Sequence, residues 1–210
     1  METDQAIEES FRTDKKPVFM SDAGDNGSAG ALCYNTLLLK KFLERKDHAG
    51  KKTLFCAIQD KNAVKNLEKY KEGDSVTFSL GFNVDKFSAP VELSGKIKAK
   101  GMVTRAAMAT TNMGNAVTLT VDGINNGAVD VTITDSFVYY NEVQQFEAAK
   151  LNWKDYDIIV VKLGYIHPGL KDIATLPIMA LTPGATDQHT EDIPYKTIFR
   201  PMFPVDRIFY

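Results

Sequence analysis

The sequence predicts an α/β fold: a mostly parallel sheet with flanking helices and an inserted antiparallel β-meander. Three observations carry that reading. Short apolar runs bounded by turn residues recur at 17–20, 53–58, 157–161 and 177–181, and such runs suit strands buried on both faces. Amphipathic stretches follow the first two runs, giving the strand–helix alternation of a parallel sheet. Between about 74 and 140 the apolar period falls to two, which marks strands with one wet face. At 210 residues, 44% hydrophobic and 25% charged, the chain suits one domain with an insertion and is too apolar for disorder.

Each element has a local reason. Residues 3–11 read as a short helix with Ala6, Ile7 and Phe11 on one face. Pro17 ends any helix there, because it lacks an N–H and its ring clashes with the preceding turn. Residues 17–20 are therefore a strand, 21–28 a loop, and 29–46 a helix with Leu32, Leu38, Leu39, Phe42 and Leu43 apolar. Strand 53–58 and helix 62–70 follow. Strict alternation over 75–80, 91–97, 117–121 and 129–133 builds the meander. Its last turn is Asn125-Asn126-Gly127, residues that tolerate positive φ. The alternation sends Val76, Phe78, Leu80, Leu119, Val121, Val131 and Ile133 inward, and Thr77, Ser79, Thr118 and Thr132 outward. Residues 142–150 read as a helix, 157–161 as the third buried strand, 169–175 as a short helix and 177–181 as the fourth strand. Pro194, Pro201 and Pro204 make 193–210 an extended tail packed on the surface.

Composition excludes several functions. Lys and Arg total 25 against 27 for Asp and Glu, without the basic excess of a nucleic-acid-coating protein. No apolar run reaches the roughly 18 residues that span a bilayer. The acidic, polar first residues are no secretory signal. Cys33 and Cys56 make neither a disulfide framework nor a four-ligand zinc site, so a reducing, cytoplasmic setting is expected. His48, His167 and His189 stand far apart, in no metal-binding spacing, and a structural role is expected for each. His48 falls at a helix end, where a cation suits the dipole. Neither cysteine neighbours a histidine in sequence, so no nucleophile pair is indicated. No catalytic residue and no metal ligand is assigned.

Three segments stand where a strand ends, the place where open α/β sheets bind ligands. Asp22-Ala23-Gly24-Asp25-Asn26-Gly27-Ser28-Ala29-Gly30 is the sharpest. It is neither a dinucleotide fingerprint nor a phosphate loop, and its two aspartates would repel a phosphate. Its plainest reading is a turn in which Asp25 or Asn26 caps the helix. Lys162 follows the third strand and is expected at the same edge as Asp22 and Asp25. An ion pair with them, a grip on a substrate carboxylate and a reach into water all remain open. Thr182-Pro183-Gly184 reads as a type II turn with Gly184 at the positive-φ position.

Taken together, these segments resemble a known family. Asp22-Ala23-Gly24-Asp25-Asn26, Ala29-Gly30 and Thr36-Leu37-Leu38 are similar to the D-x-G-D-N-P-x-A-G-G motif of the microcystin-degradation protein family, the MlrC-type zinc metallopeptidases. The resemblance extends to Val161-Lys162-Leu163-Gly164-Tyr165, to 178–186, and to Ile193-Pro194-Tyr195-Lys196 with Arg200 to Asp206. It concerns the family's C-terminal domain and covers almost the whole chain, so it implies one such domain over 1–210, with the meander at about 74–140. The chain departs from the motif at Gly27, where proline is usual, at Ala31 and Cys33, where glycines are usual, and at Tyr34, where an aspartate is usual.

The resemblance implies that zinc, held by His and Asp side chains, belongs to an N-terminal domain outside this chain. There it would activate water and polarise a peptide carbonyl. The expected role here is to complete the active-site cleft and the peptide-binding surface, with Asp22, Asp25, Asn26, Lys162 and Thr182 as candidates for contact with substrate or with the zinc domain. This chain alone is expected to be inactive. The alternatives are a stand-alone small-molecule or peptide binding module, and a structural or dimerisation domain, with homo-oligomerisation left open.

Overall fold

The computed structural model describes residues 1–105 and 111–207; part of the predicted meander and the last three residues of the predicted tail lie outside them. In chain order the elements are α1 (Thr3–Arg12), β1 (Val18–Asp22), α2 (Leu37–Glu44), β2 (Lys52–Gln59), α3 (Lys61–Leu67), β3 (Ser75–Leu80), β4 (Val91–Met102), β5 (Asn115–Val121), β6 (Ala128–Thr134), α4 (Val143–Ala148), β7 (Ile158–Val161), α5 (Pro168–Lys171) and β8 (Leu176–Ala180). Every predicted strand is present. The long helix predicted over 29–46 is not: its first half is irregular, and Leu32 faces solvent. Gly30 and Cys33 take left-handed conformations, with φ of 101° and 60°. The Asp25 carboxylate accepts the N–H groups of Cys33 and Asn35, offering the backbone a local alternative to the helix ladder.

One eight-stranded sheet runs through the molecule in the order β3-β4-β5-β6-β2-β7-β1-β8. β6, β2, β7, β1 and β8 pair in parallel, and β3 to β6 pair antiparallel. The meander is thus the antiparallel wing of the same sheet. β6 is the seam, antiparallel to β5 on one side and parallel to β2 on the other. Five strands therefore end at one edge, at Asp22, Gln59, Thr134, Val161 and Ala180. At the β8 end of the sheet the N-terminus runs alongside. The Met1 ammonium donates to the Met179 carbonyl, and Glu2 bridges in parallel to Leu181.

Both faces of the central sheet are covered. On one, Ile7, Phe11, Leu38, Phe42, Val64 and Leu67 pack on Val18, Met20, Phe55, Val131 and Val160. On the other, Phe146, Leu170 and Tyr140 pack on Phe19, Leu54, Ile159 and Val161. This second cover corrects the predicted alternation. Thr77 and Ser79 are exposed as expected, but Thr118 and Thr132 are buried and share a hydrogen bond of 3.0 Å. The chain around α4 lies over them, and Gly101 admits the end of α4. A Cβ on Gly101 would stand 2.5 Å from the Ala148 carbonyl oxygen.

His48 also departs from expectation. It is fully buried, edge-on to Phe11 and Phe42, and its Nε2–H donates to the Phe42 carbonyl at 3.0 Å. Burial pulls its pKa below the ordinary histidine value. It is a neutral core imidazole, not a helix-end cation. Phe199 and Phe203 in the tail are exposed, so this part of the tail does not pack down.

The threonine pair gives a test. Thr132→Val alone leaves the buried Thr118 hydroxyl without its partner and should cost about 1–3 kcal/mol. Adding Thr118→Val should restore most of that loss, because both polar groups are then gone. Urea denaturation of the two single variants and the double variant measures this. An additive double variant would mean that the pair does not interact.

Candidate functional site

Lys162 follows directly on β7, at the shared edge. Its ammonium is buried, with 2% of the residue exposed, and lies 2.8 Å from Asp22 Oδ2, 3.0 Å from Asp25 Oδ2 and 2.6 Å from the Asn35 carbonyl oxygen. Three acceptors match its three donors. Of the readings open at the sequence level, the structure has the ion pair with both aspartates. Burial acts to lower the Lys162 pKa, but the attraction of the Asp22 and Asp25 carboxylates outweighs it and holds the group above the ordinary lysine range.

The carboxylates are fully used. Asp22 Oδ1 accepts from the Thr182 hydroxyl, whose oxygen in turn accepts the Gly24 N–H at 2.8 Å. Asp25 takes the N–H groups of Cys33 at 3.0 Å and Asn35 at 2.8 Å. Asn26 caps the turn after it, its Oδ1 accepting from Ser28 N at 3.0 Å. Asp22, Asp25, Asn26, Lys162 and Thr182 thus lie together, all buried. Their hydrogen bonds tie the loops after β1, β7 and β8 into one body.

Two glycines make that closeness possible. A Cβ on Gly24 would stand 2.1 Å from the Thr182 carbonyl oxygen, and one on Gly184 would stand 2.2 Å from that of Gly24. Gly184 is not among the positive-φ residues, so the type II expectation does not hold at this position. Glycine is needed there for backbone approach, not for conformation.

A family model described as the MlrC C-terminus matches residues 20–197. The chain belongs to that family. No curated protein matches it. Among solved structures it is similar to a crystal structure from Mesorhizobium sp. BNC1 described as a “putative metallopeptidase”, with a TM-score of 0.75 and 22% identity. That likeness covers 100% of this chain and 42% of the other. At that identity it is a likeness of fold, and the MlrC-family chain spans less than half the length of the protein it resembles.

The family motif and the structure meet at Cys33 and Gly27. Cys33, where the resemblance has glycine as usual, sits at a φ of 60°, a region that glycine enters freely and other residues rarely. A Cβ on Gly27 would lie 2.7 Å from Cys33 Sγ and 2.6 Å from Tyr139 Cδ1. The space beside position 27 is therefore taken by the side chains of Cys33 and Tyr139. Burial pushes the Cys33 thiol well above its ordinary pKa, and Asp25 adds to the shift. It is protonated and unreactive.

Beside this loop opens a cleft of about 310 Å³, lined by Gly27, Arg105, Val138, Tyr139, Asn141 and Gln145. Sequence reasoning missed it. Most of these residues follow β6, which reads from its alternation as an ordinary meander strand. Its parallel pairing with β2 brings its end to the same edge as Asp22 and Lys162. The available signal was a stretch of aromatic and amide residues, Phe137 to Asn141, directly after a strand.

The histidines are engaged locally. His167 Nδ1 accepts the Gly169 N–H, and His189 stands between Glu2 and Asp187 at 3.1 and 3.2 Å. Hydrogen bonds to Glu2 and Asp187 raise the His189 pKa. Among the described residues no three His, Cys, Asp or Glu side chains form a group that could hold a metal. The acidic pair at the strand ends is already bridged by the Lys162 ammonium. The described residues of this chain do not fit a zinc ion.

Lys162→Met should cost about 3–5 kcal/mol at neutral pH, because it leaves two buried carboxylates facing one another. The raised pKa of Lys162 fixes the sign of the pH dependence. Its contribution is complete below the unfolded lysine value, about 10.4, and is lost as pH rises through the folded value. The gap between wild type and variant, measured by urea denaturation, should therefore narrow as pH rises through the folded Lys162 value. A cost below about 1 kcal/mol, the scale of an exposed pair, would refute the bracing role. Gly24→Ala should separately cost about 1–3 kcal/mol by overpacking, read as a lowered Tm.

Proposed function

We propose that this chain is the C-terminal accessory domain of an MlrC-type zinc metallopeptidase, and that it completes the active-site cleft and the peptide-binding surface of a zinc-bearing N-terminal domain. The observation that carries this reading is that the whole chain corresponds to 42% of a protein described as a “putative metallopeptidase”. In a member of the MlrC C-terminus family, the remainder of such a protein is the natural seat of the metal. The chemistry of the edge supports the same division of labour. The buried acidic pair there, Asp22 and Asp25, is bridged by Lys162, so it serves the shape of a wall and not a ligand set.

In this reading Asp22, Asp25, Lys162 and Thr182 act from beneath. They fix the loops after β1, β7 and β8 so that the rim keeps its shape when a peptide or the zinc domain meets it, as a preorganised site requires. Direct contact falls to the rim, where Ser28, Leu32 and Tyr165 are exposed. Asn26, slightly more exposed than the other four at 8%, is the member of the predicted set best placed to reach outward. The setting is cytoplasmic, where Cys33 and Cys56 remain thiols.

The test is reconstitution. The purified chain, incubated with zinc and dialysed, should retain no stoichiometric metal and hydrolyse no short peptide. A zinc-bearing N-terminal domain of the family should gain about tenfold or more in peptide turnover when this chain is added, the scale of completing a positioning surface. Stoichiometric zinc with zinc-dependent hydrolysis by this chain alone would overturn the proposal. So would an N-terminal domain that is equally active without it.

A further inference from the structure

We propose that the cleft beside Gly27 is a carboxylate-binding subsite, with Arg105 as the anion-gripping group. The peptide reading above supplies the kind of molecule that carries the carboxylate; the site itself stands on geometry. Its volume, about 310 Å³, suits one residue of a peptide.

The lining is held in place by one buried side chain. Gln145, 2% exposed, donates through Nε2 to the carbonyls of Thr104 and Tyr139 at 3.1 and 3.0 Å. Its Oε1 accepts the N–H groups of Asn141 and Glu142 at 2.7 and 3.0 Å. All four of its hydrogen-bonding positions are used. Gln145 thereby ties the residue before Arg105 to the segment carrying Tyr139 and Asn141, and fixes both sides of the cleft. Phe137 meets the Tyr139 ring edge-on at 5.9 Å. Gly27 lines the cleft with backbone alone, packed close against the Tyr139 ring.

Gln145 aside, the polar side chains that line this space are those of Arg105, Tyr139 and Asn141, each able to donate. Among the described residues, Arg105 forms no salt bridge, and neither the side-chain amide of Asn141 nor the Tyr139 hydroxyl has a protein hydrogen-bond partner. A guanidinium fork matches a carboxylate through two parallel N–H···O bonds. An amide N–H and a phenol O–H supply further donors. The charge count favours a monoanion over phosphate. One guanidinium faces the ligand, and beneath Gly27 the buried group of Asp22, Asp25 and Lys162 carries two negative charges against one positive. That residual charge opposes a dianion more strongly than a carboxylate. A peptide brings a carboxylate at its C-terminus or on an acidic side chain, and the two sources are separable by experiment.

The test is titration of the ¹⁵N-labelled full chain, followed by NMR, with four probes. These are an N-acetylated tripeptide with a free C-terminus, its C-terminal amide, an amidated tripeptide containing glutamate, and inorganic phosphate. A carboxylate-bearing peptide should shift the amides around Gly27, Tyr139 and Asn141. The fully amidated neutral peptide should bind about tenfold more weakly, or worse, the scale of losing a charge-assisted pair. Comparing the free C-terminus with the glutamate peptide identifies the source. Arg105→Met should abolish the preference for acid over amide, and Arg105→Lys should keep only part of it. Arg105 is exposed, so both variants should keep the wild-type Tm. Equal binding of acid and amide, tighter binding of phosphate, an unaffected Arg105→Met, or no binding of any probe would each overturn the proposal. No zinc domain and no turnover enter this measurement. Its failure leaves the accessory role standing, and failure of reconstitution leaves the carboxylate titration intact.

Discussion

A single ammonium, buried at the ends of the parallel strands, organises this molecule. A charge taken out of water needs partners close by, and Lys162 finds them in Asp22, Asp25 and the Asn35 carbonyl. Each partner then constrains its own loop. Asp22 holds Thr182 and, through its hydroxyl, the Gly24 backbone. Asp25 folds the chain back at Cys33 and Asn35, which delays α2 until Leu37. The two glycine approaches, at Gly24 and Gly184, follow from how tightly these loops are drawn together. Desolvating three charges is not a strong source of net stability. It does fix one arrangement of three loops, because every alternative leaves a charge unpaired.

Much of this was legible in the sequence, for identifiable reasons. Short apolar runs located the strands because a strand buried on both faces has few other compositions. The position of Asp22, Asp25, Lys162 and Thr182 just after such runs placed them on one edge, because parallel strands end together. Two things were hidden. Alternation over 129–133 reads as a half-wet strand, yet Asp130 and Thr132 are buried. Their polarity is satisfied inside, Asp130 by Lys98, Thr120 and Tyr156 and Thr132 by Thr118. A period of two reports chemical alternation, and only pairing and cover decide which face meets water. The helix predicted over 29–46 failed for a related reason. Its apolar spacing is helical, but a carboxylate several residues upstream claims its first N–H groups.

The departures from the family motif make local physical sense as a set. A side chain at position 33 projects Sγ to within 2.7 Å of where a Cβ at position 27 would lie. With Cys33 in place, glycine at 27 avoids the collision that proline would meet. Tyr34 turns its ring edge-on to Phe82 at 6.0 Å, so this loop packs on the β3–β4 connection. The same connection is tied to Thr36, whose N–H and hydroxyl reach the carbonyls of Phe87 and Ala89. These residues join the strand-end loop to the antiparallel wing.

The N-terminal residues running beside β8 bear on solubility. An unpaired outer strand is a template on which another chain can add, and proteins blunt such strands by covering them. Here Met1 and Glu2 lie beside the strand, with the Leu181 N–H donating to the Met1 carbonyl and the Thr3 hydroxyl closing on the Leu181 carbonyl. Pro177 within β8 removes one further donor from the ladder. At the opposite margin, Ser75, Thr77 and Ser79 give one face of β3 to water. The two margins thus differ in kind: the backbone of β8 is covered by the chain's first residues, whereas that of β3 has a strand on one side only.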